Sequence, residues 1–239
     1  MKEYPIINKD FNPDDLLLLD GFIILIDKED EWTSFDVVKK LRGALKVKKV
    51  GHAGTLDPFA TGLLVILFGK ATKTADHHTS QNKTYHCFVK LGSQTDSFDR
   101  TGTVTNTSDS IPDKDSITEV VNSFIGTQEQ LPPMFSAIKV NGKRLYKSAR
   151  EGIEVERKPR KITISSIEII KIDNDIIEMV VECTKGTYIR SLADDIGTKL
   201  GCYAHLQELR RTQSGDFRIE DSFTVSELLE RIKTEKRSD

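Results

Sequence analysis

Cysteine is scarce in this chain: three in 239 residues, at 87, 183 and 202. Their odd number and wide spacing exclude a disulfide framework and a zinc site, and suit a reduced cytoplasmic setting. Long apolar sequence is missing as well. Runs such as residues 63–68 fall far short of the roughly 18 residues that span a bilayer. The stretch 16–26 is apolar but broken by Asp20 and Gly21 and preceded by acids. A secretory leader needs a basic start and a small-residue cleavage site, so none is read here and no membrane partner is expected. His77 and His78 stand side by side with no nearby cysteine or regularly spaced carboxylates, which makes them solvated surface histidines, not metal ligands. No metal site is expected. An excess of basic charge is absent too. With 35 Lys and Arg against 37 Asp and Glu the net charge is −2, a total that by itself argues against a nucleic-acid partner.

The distribution of that charge says otherwise. Residues 1–36 hold ten acids and three bases, whereas residues 37–56 hold six bases and no acid: Lys39, Lys40, Arg42, Lys46, Lys48 and Lys49. Residues 139–161 hold nine bases against three acids. Local basic stripes, not the total, are the electrostatic footprint of phosphate binding. A basic run taken alone is more often a solvated helix face; this one leads straight into a glycine-rich loop.

Periodicity outlines the elements. A first strand covers 22–27. Ser34 can cap a helix to Leu45 whose buried stripe is Phe35, Val38, Leu41 and Leu45, leaving Lys39, Arg42 and Lys46 on another face. Strands follow at 63–68 and 84–91, a polar turn-rich loop at 95–102 and a helix at 117–124. Asn141-Gly142 and Asp173-Asn174-Asp175 each mark a hairpin. Ile189, Leu192, Ile196 and Leu200 form a helical stripe ended by Gly201. A strand covers 204–212, and Thr224-Val225-Ser226-Glu227 is a capping box opening a terminal helix to about Lys233. Hairpins mixed with helices indicate an α+β fold with a mixed, mainly antiparallel sheet and flanking helices. The polar, charged stretch 133–161 reads as a projecting insertion in one domain spanning 1–239.

The most informative segment is Gly51-His52-Ala53-Gly54-Thr55-Leu56-Asp57-Pro58-Phe59-Ala60-Thr61-Gly62. Glycine permits close backbone approach, and Pro58 pushes Asp57 toward extended geometry, so the carboxylate sits in a rigid turn. Such a fixed loop beside a buried strand is a common seat for catalytic groups. From the residues alone an Asp-Pro turn is more often structural, because Asp bonds its own backbone in turns.

This segment resembles the catalytic motif of the TruB family of tRNA pseudouridine synthases, close to G-H-x-G-T/A-L-D-P-x-A-x-G-x-L. The resemblance puts Asp57 at the catalytic aspartate, beside Gly54 and Thr55 of the substrate loop. Lys83-Thr84-Tyr85 is similar to the family's K-x-Y, putting Tyr85 at the active-site tyrosine. Lys185-Gly186-Thr187-Tyr188-Ile189-Arg190-Ser191-Leu192 resembles G-T-Y-I-R-S-L, putting Arg190 opposite the aspartate. The segment from Leu206 to Thr212 resembles the closing L-R-R-T, putting Leu209 against the tyrosine ring. Lys73 matches a basic position suited to phosphate contact.

What the resemblance implies is the pseudouridine synthase fold and an isomerase acting on uridine 55 in the T loop of tRNA. The N-glycosidic bond is broken, the base rotates and a carbon–carbon bond is made, so no cofactor is expected. Asp57 is the carboxylate nucleophile, and Arg190 keeps it ionised with a planar fork. Tyr85 stacks on the base and offers a phenol for proton transfer. His52 either stacks in the RNA loop and helps extrude the base or is a solvated loop histidine. From the residues alone, Tyr85 is also a half-buried strand tyrosine, Leu209 a core residue, and Arg190 a helix-surface partner of Asp194. Chemistry on a stacked base requires flipping it out; the basic helix and the 133–161 insertion would grip the T-arm. A monomer with no obligatory protein partner is expected.

Two departures from the family pattern stand out. The usual K-P-x-G-x-T-S is here Lys28-Glu29-Asp30-Glu31-Trp32-Thr33-Ser34, with acids for proline and glycine. After L-R-R-T too few residues remain for a C-terminal PUA domain, so RNA affinity would rest on the catalytic domain. Two other function classes compete: a non-catalytic RNA-binding or RNA-folding protein, which would not require Asp57, Tyr85 and Arg190, and a phosphate-transfer enzyme. For the latter, Gly69-Lys70-Ala71-Thr72 lacks the P-loop spacing.

Overall fold

The computed structural model describes residues 3–7, 11, 15–16, 18–136, 139–140, 142–145, 149 and 151–235. The strands in chain order are Ile6–Ile7 (β1), Gly21–Lys28 (β2), Val50–Ala53 (β3), Thr61–Gly69 (β4), Lys83–Leu91 (β5), Ser93–Thr95 (β6), Val104–Thr107 (β7), Gly126–Gln130 (β8), Lys139–Val140 (β9), Lys143–Arg144 (β10), Arg160–Asp173 (β11), Ile176–Cys183 (β12), Ala204–Ser214 (β13), Phe217–Arg218 (β14) and Phe223–Thr224 (β15). Among the described residues the helices are Ser34–Leu45 (α1), Ala75–Ser80 (α2), Lys114–Asn122 (α3), Ile189–Leu200 (α4) and Val225–Glu235 (α5). The fold is a mixed α+β one with mainly antiparallel pairing. Two compact units divide the chain: Met1–Tyr85 with Arg210–Asp239, and His86–Leu209.

In the first unit β2 and β4 pair antiparallel along their whole lengths, from Gly21↔Gly69 to Lys28↔Gly62. The other edge of β4 is divided. β3 covers residues 65–68 in antiparallel register, and β13 meets Thr61 and Gly62 in parallel through Arg210 and Arg211. The connection 54–60 must therefore leave the sheet between them. Every residue from 62 to 68 is buried, which is what an uninterrupted apolar run in a central strand requires. Gly62 is demanded by this geometry: its φ is +99°, and a Cβ would lie 2.3 Å from the Arg211 carbonyl oxygen.

Helix α1 occupies the expected span with a different cap. Thr33, not Ser34, accepts from the Asp36 N–H at 3.1 Å, while the Asp36 carboxylate accepts from the Thr33 N–H at 3.0 Å. A capping box needs an acid three residues past the cap; Asp36 supplies it for Thr33, whereas Val37 follows Ser34 at that distance. Phe35, expected in the buried stripe, is instead 61% exposed, and Val37 is fully buried. Residues 70–80, a 3-10 turn running into α2, were not foreseen as helical. The Thr224 capping box does open α5, with Glu227 donating its N–H to Thr224 Oγ1 and accepting the Thr224 N–H.

In the second unit β11 lies antiparallel between β8 and β12. β12 alternates buried and half-buried residues, one face to the core. Asn174, at φ 51°, makes the expected β11–β12 hairpin turn. Helix α3 starts before residue 117 because Asp113 caps it, accepting from the Ser116 N–H at 2.8 Å. Helix α4 ends at Gly201, φ 71°, as the sequence indicates. The loop expected at 95–102 is flanked by a small hairpin, β6 with β7. β9 and β10 pair antiparallel as Asn141-Gly142 implies; Ala137, Asn141 and Tyr146 themselves lie outside the described residues. Among those described no helix is long and apolar enough to cross a membrane.

Candidate active site

The first unit holds Asp57, His52, Gly54, Thr55, Lys73, Lys83, Tyr85 and the basic helix face; the second holds Arg190 and Leu209.

Asp57 is half-buried, in a turn closed by the Ala60 N–H donating to the Asp57 carbonyl at 3.1 Å. Both neighbours are held. Ser34 Oγ accepts from the Leu56 N–H at 2.9 Å and faces the Leu56 carbonyl at 3.2 Å. Lys28 Nζ donates to the Pro58 carbonyl at 3.0 Å, and also to Trp32 at 2.7 Å and Glu29 at 2.8 Å. Lys28 thus joins the segment that departs from the family pattern to the aspartate turn. Within that segment Glu31 takes φ 66°, the left-handed conformation where the family pattern has glycine. A non-glycine residue in that conformation is strained.

Two buried cations belong to this part of the unit. Lys28 is 0% exposed and Arg211 1%. Arg211 donates from Nε to the Leu63 carbonyl at 2.7 Å and from Nη2 to the Gly54 carbonyl at 3.0 Å, bracketing the loop. Burial pushes the Lys28 ammonium down to about 8, the negative charges of Asp30 and Asp57 oppose that, and Arg211 adds to it. Sequence reasoning did not pick either cation as a site residue. The available signal was a lysine ending a fully apolar strand, and an Arg-Arg pair in a strand where only one side chain can face out. Arg210, the other one, forms a two-pronged pair with Asp27, Nη1–Oδ1 3.0 Å and Nη2–Oδ2 2.6 Å.

His52 is half-buried on β3, and its Nδ1 has no hydrogen-bond partner among the described residues. Burial first, and Arg211 second, hold its imidazole toward the neutral form. Tyr85 is half-buried on β5. Lys83 is buried, and its ammonium donates to the carbonyls of Thr79 (2.6 Å) and Gln81 (2.5 Å) at the end of α2. That contact serves a helix C-terminus, where a cation is favoured. Thr55 and Lys73 are exposed. Lys39 and Arg42 are exposed on α1, off the buried Val37, Val38, Leu41 and Leu45, and Lys46 is exposed just past the helix end. His77 is exposed, and His78 is half-buried with its ring 5.3 Å from that of Phe217.

In the second unit Arg190 opens α4 and is 3% exposed. Its Nη1 donates to the Ser97 carbonyl at 3.0 Å and its Nη2 to the Phe135 carbonyl at 2.8 Å. Asp99 Oδ2 lies 3.5 Å from Nη1. The Asp99 carboxylate is oriented by Ser97 Oγ at 2.8 Å, the Thr101 N–H at 2.9 Å and Thr101 Oγ1 at 2.6 Å. The surface partner suggested by helical spacing, Asp194, accepts instead from Gln94 Nε2 at 2.5 Å. Asp99 was hidden within a stretch that reads as a polar loop. Gln130 clasps the residue before α4, donating to the Tyr188 carbonyl at 3.0 Å and accepting its N–H at 2.8 Å. Leu209 is buried at 8% exposure.

Comparison with known proteins gives a consistent picture. The family described as TruB family pseudouridylate synthase (N terminal domain) matches residues 42–189, and tRNA pseudouridylate synthase B C-terminal domain matches residues 190–239. A tRNA pseudouridine synthase B of Clostridium kluyveri is 50% identical over 210 residues, 88% of this chain and 72% of that protein. One from Opitutus terrae is 47% identical over 222 residues, 92% of each. Among solved structures, a Cbf5-Nop10-Gar1 complex contains a chain with TM-score 0.72 and 30% identity, matched over 93% of this chain and 59% of that one. An H/ACA RNP bound to a substrate RNA containing 2'-deoxyuridine gives TM-score 0.71 at 28% identity, over 97% of this chain and 61% of the other. The chain thus spans about three-fifths of the length of these solved chains.

Proposed function

The chain belongs to the TruB family of pseudouridylate synthases, and we propose that it converts uridine 55 in the T loop of tRNA to pseudouridine with Asp57 as nucleophile. The observation that supports this most is the Asp57 turn. A half-buried carboxylate is fixed through both flanking residues, by Ser34 at Leu56 and by Lys28 at Pro58. A general surface turn needs no such hold. A nucleophile that must meet one atom of a flipped nucleotide does, because small misplacement of reacting groups is costly in rate.

In this reading the carboxylate acts at the nucleotide, the N1–C1′ bond breaks and the electron pair stays with the uracil. The base then turns, C5 bonds to C1′ as the carboxylate is released, the C5 proton leaves, and N1 takes up a proton. Product and substrate are isomers, so no co-reactant enters. Tyr85 stacks on the base and its phenol is placed for proton transfer, Leu209 shapes the pocket, and His52, neutral, occupies the extruded base's place in the loop. Arg190 is assigned to the catalytic machinery by its place in the family motif. Lys39, Arg42, Lys46 and Lys73 supply phosphate contacts; Gly54, Thr55 and Lys83 support the substrate loop. The enzyme works in the cytoplasm as a monomer and needs no cofactor.

The test is incubation of the purified chain with an unmodified tRNA transcript, followed by mapping of pseudouridine. Modification at position 55 alone supports the reading. An unmodified transcript, or modification elsewhere only, overturns it.

A further inference from the structure

Helices α1 and α5 leave a groove of about 600 Å³ between them, bordered by Trp32, Lys39, Lys40, Gly43, Leu229 and Lys233. Its charge is lopsided. Three lysines face one carboxylate, Asp36, which is already held by the Thr33 N–H at 3.0 Å and hydroxyl at 2.5 Å. Neither Lys40 nor Lys233 has an ion-pair partner among the described residues. Gly43 is the second unusual feature. It lies inside α1, where glycine is a poor helix former, yet no atom lies within 4 Å of the place its Cβ would take. Packing within the chain does not require a glycine there, and the missing side chain leaves that wall of the groove bare.

We infer that this groove takes an unpaired nucleotide of the RNA substrate, the base against the Trp32 ring and the phosphates among Lys39, Lys40 and Lys233. The inference rests on the tRNA reading above and adds a second RNA contact to it. An indole face binds any base by stacking, and lysines track the backbone, the combination used for single-stranded RNA. The groove is continuous with the exposed Lys39–Arg42–Lys46 face through Lys39. An acidic protein segment would satisfy the lysines but would have no need of the bare wall at Gly43.

Trp32 is the only tryptophan in the chain, so its fluorescence reports on this groove alone. The full chain is titrated with a T-arm stem-loop and with oligouridylate, and in parallel with polyphosphate and an oligoglutamate peptide. Both RNAs quench Trp32, and the two controls do not. With labelled oligouridylate, Trp32→Leu weakens binding about tenfold, as loss of one stacked base implies, whereas Trp32→Phe retains most of it. Only the Trp32 carbonyl serves Lys28, so the ring can be changed without touching that bond. Gly43→Ala raises the melting temperature by about 2–4 °C and still weakens oligouridylate several-fold. A purely structural position would show the first effect without the second.

RNA binding with unchanged Trp32 fluorescence contradicts the inference. So does wild-type affinity in both Trp32→Leu and Gly43→Ala, or equal quenching by polyphosphate or oligoglutamate, which would make this a site for bare polyanions or an acidic segment. Pseudouridine formed without quenching sinks the groove alone. Quenching by RNA without pseudouridine sinks the proposed reaction and leaves the groove standing.

Discussion

The ammonium of Lys28 and the carbonyl of Pro58 meet at 3.0 Å, across thirty residues of sequence. Through that bond the buried end of strand β2 holds the residue next to the catalytic candidate Asp57. Burial has pushed the same ammonium down to about 8. The unfolded chain keeps this proton up to its ordinary value of 10.5, so between those limits the unfolded state binds more protons and Lys28's contribution to stability rises with pH. Turnover should move the other way. Deprotonation removes a positive charge near Asp57 and one donor from the hold on Pro58. The expected pH–rate profile falls above about pH 8 while urea stability does not. Lys28→Met should lose activity at every pH and show no such limb; a Met variant with the wild-type profile would remove Lys28 from the account.

Glu31 occupies a left-handed conformation at φ 66°. A non-glycine residue there costs about 1–2 kcal/mol, partly offset on replacement by the extra freedom glycine has when unfolded. Glu31→Gly should therefore stabilise the protein by about 0.5–1 kcal/mol, seen as a rise of about 1–4 °C in Tm. Calorimetry checks it, and a lower Tm would mean that the acid supports the turn in some other way.

Ser34→Ala removes the hydroxyl that bonds the Leu56 backbone on both sides. Leaving a buried N–H unsatisfied costs about 1–3 kcal/mol. Single-turnover rates on saturating tRNA should drop as well, since Leu56 adjoins Asp57. Denaturant melts and rapid-quench assays measure the two effects separately.

Asp99 and Arg190 are both almost wholly buried, 5% and 3% exposed at the side chain. Removing one member of a buried ion pair is costly, so Asp99→Ala should cost about 3–5 kcal/mol. Asp99→Ala combined with Arg190→Met should be less destabilised than Asp99→Ala alone. Additive losses in urea melts would show that the two charges are not coupled.

Much of the framework was legible in the sequence because local signals agreed with the tertiary result. Residues 63–68 read as buried and are; Gly201 ends α4 and Asn174 turns the β11–β12 hairpin where the sequence places them. The Thr33 cap was missed because Ser34 is an equally good capping type, and only the position of Asp36 decides between them. Strand β8 was missed because its sequence, Gly-Thr-Gln-Glu-Gln, has no apolar alternation; the pairing with β11 creates it. For the site, the motif residues could be named from the sequence. Lys28, Arg211 and Asp99 were passed over, since a charged side chain inside a strand or loop reads as solvated until the fold buries it.

The most direct measurement is single-turnover pseudouridine formation on an unmodified tRNA transcript by the wild-type chain and Asp57→Asn, with tRNA affinity measured for both. The asparagine variant keeps the shape of the turn and loses the ionised oxygen. Near-normal tRNA binding with no detectable pseudouridine is the predicted result. Turnover close to wild type in the asparagine variant would contradict the assignment of Asp57.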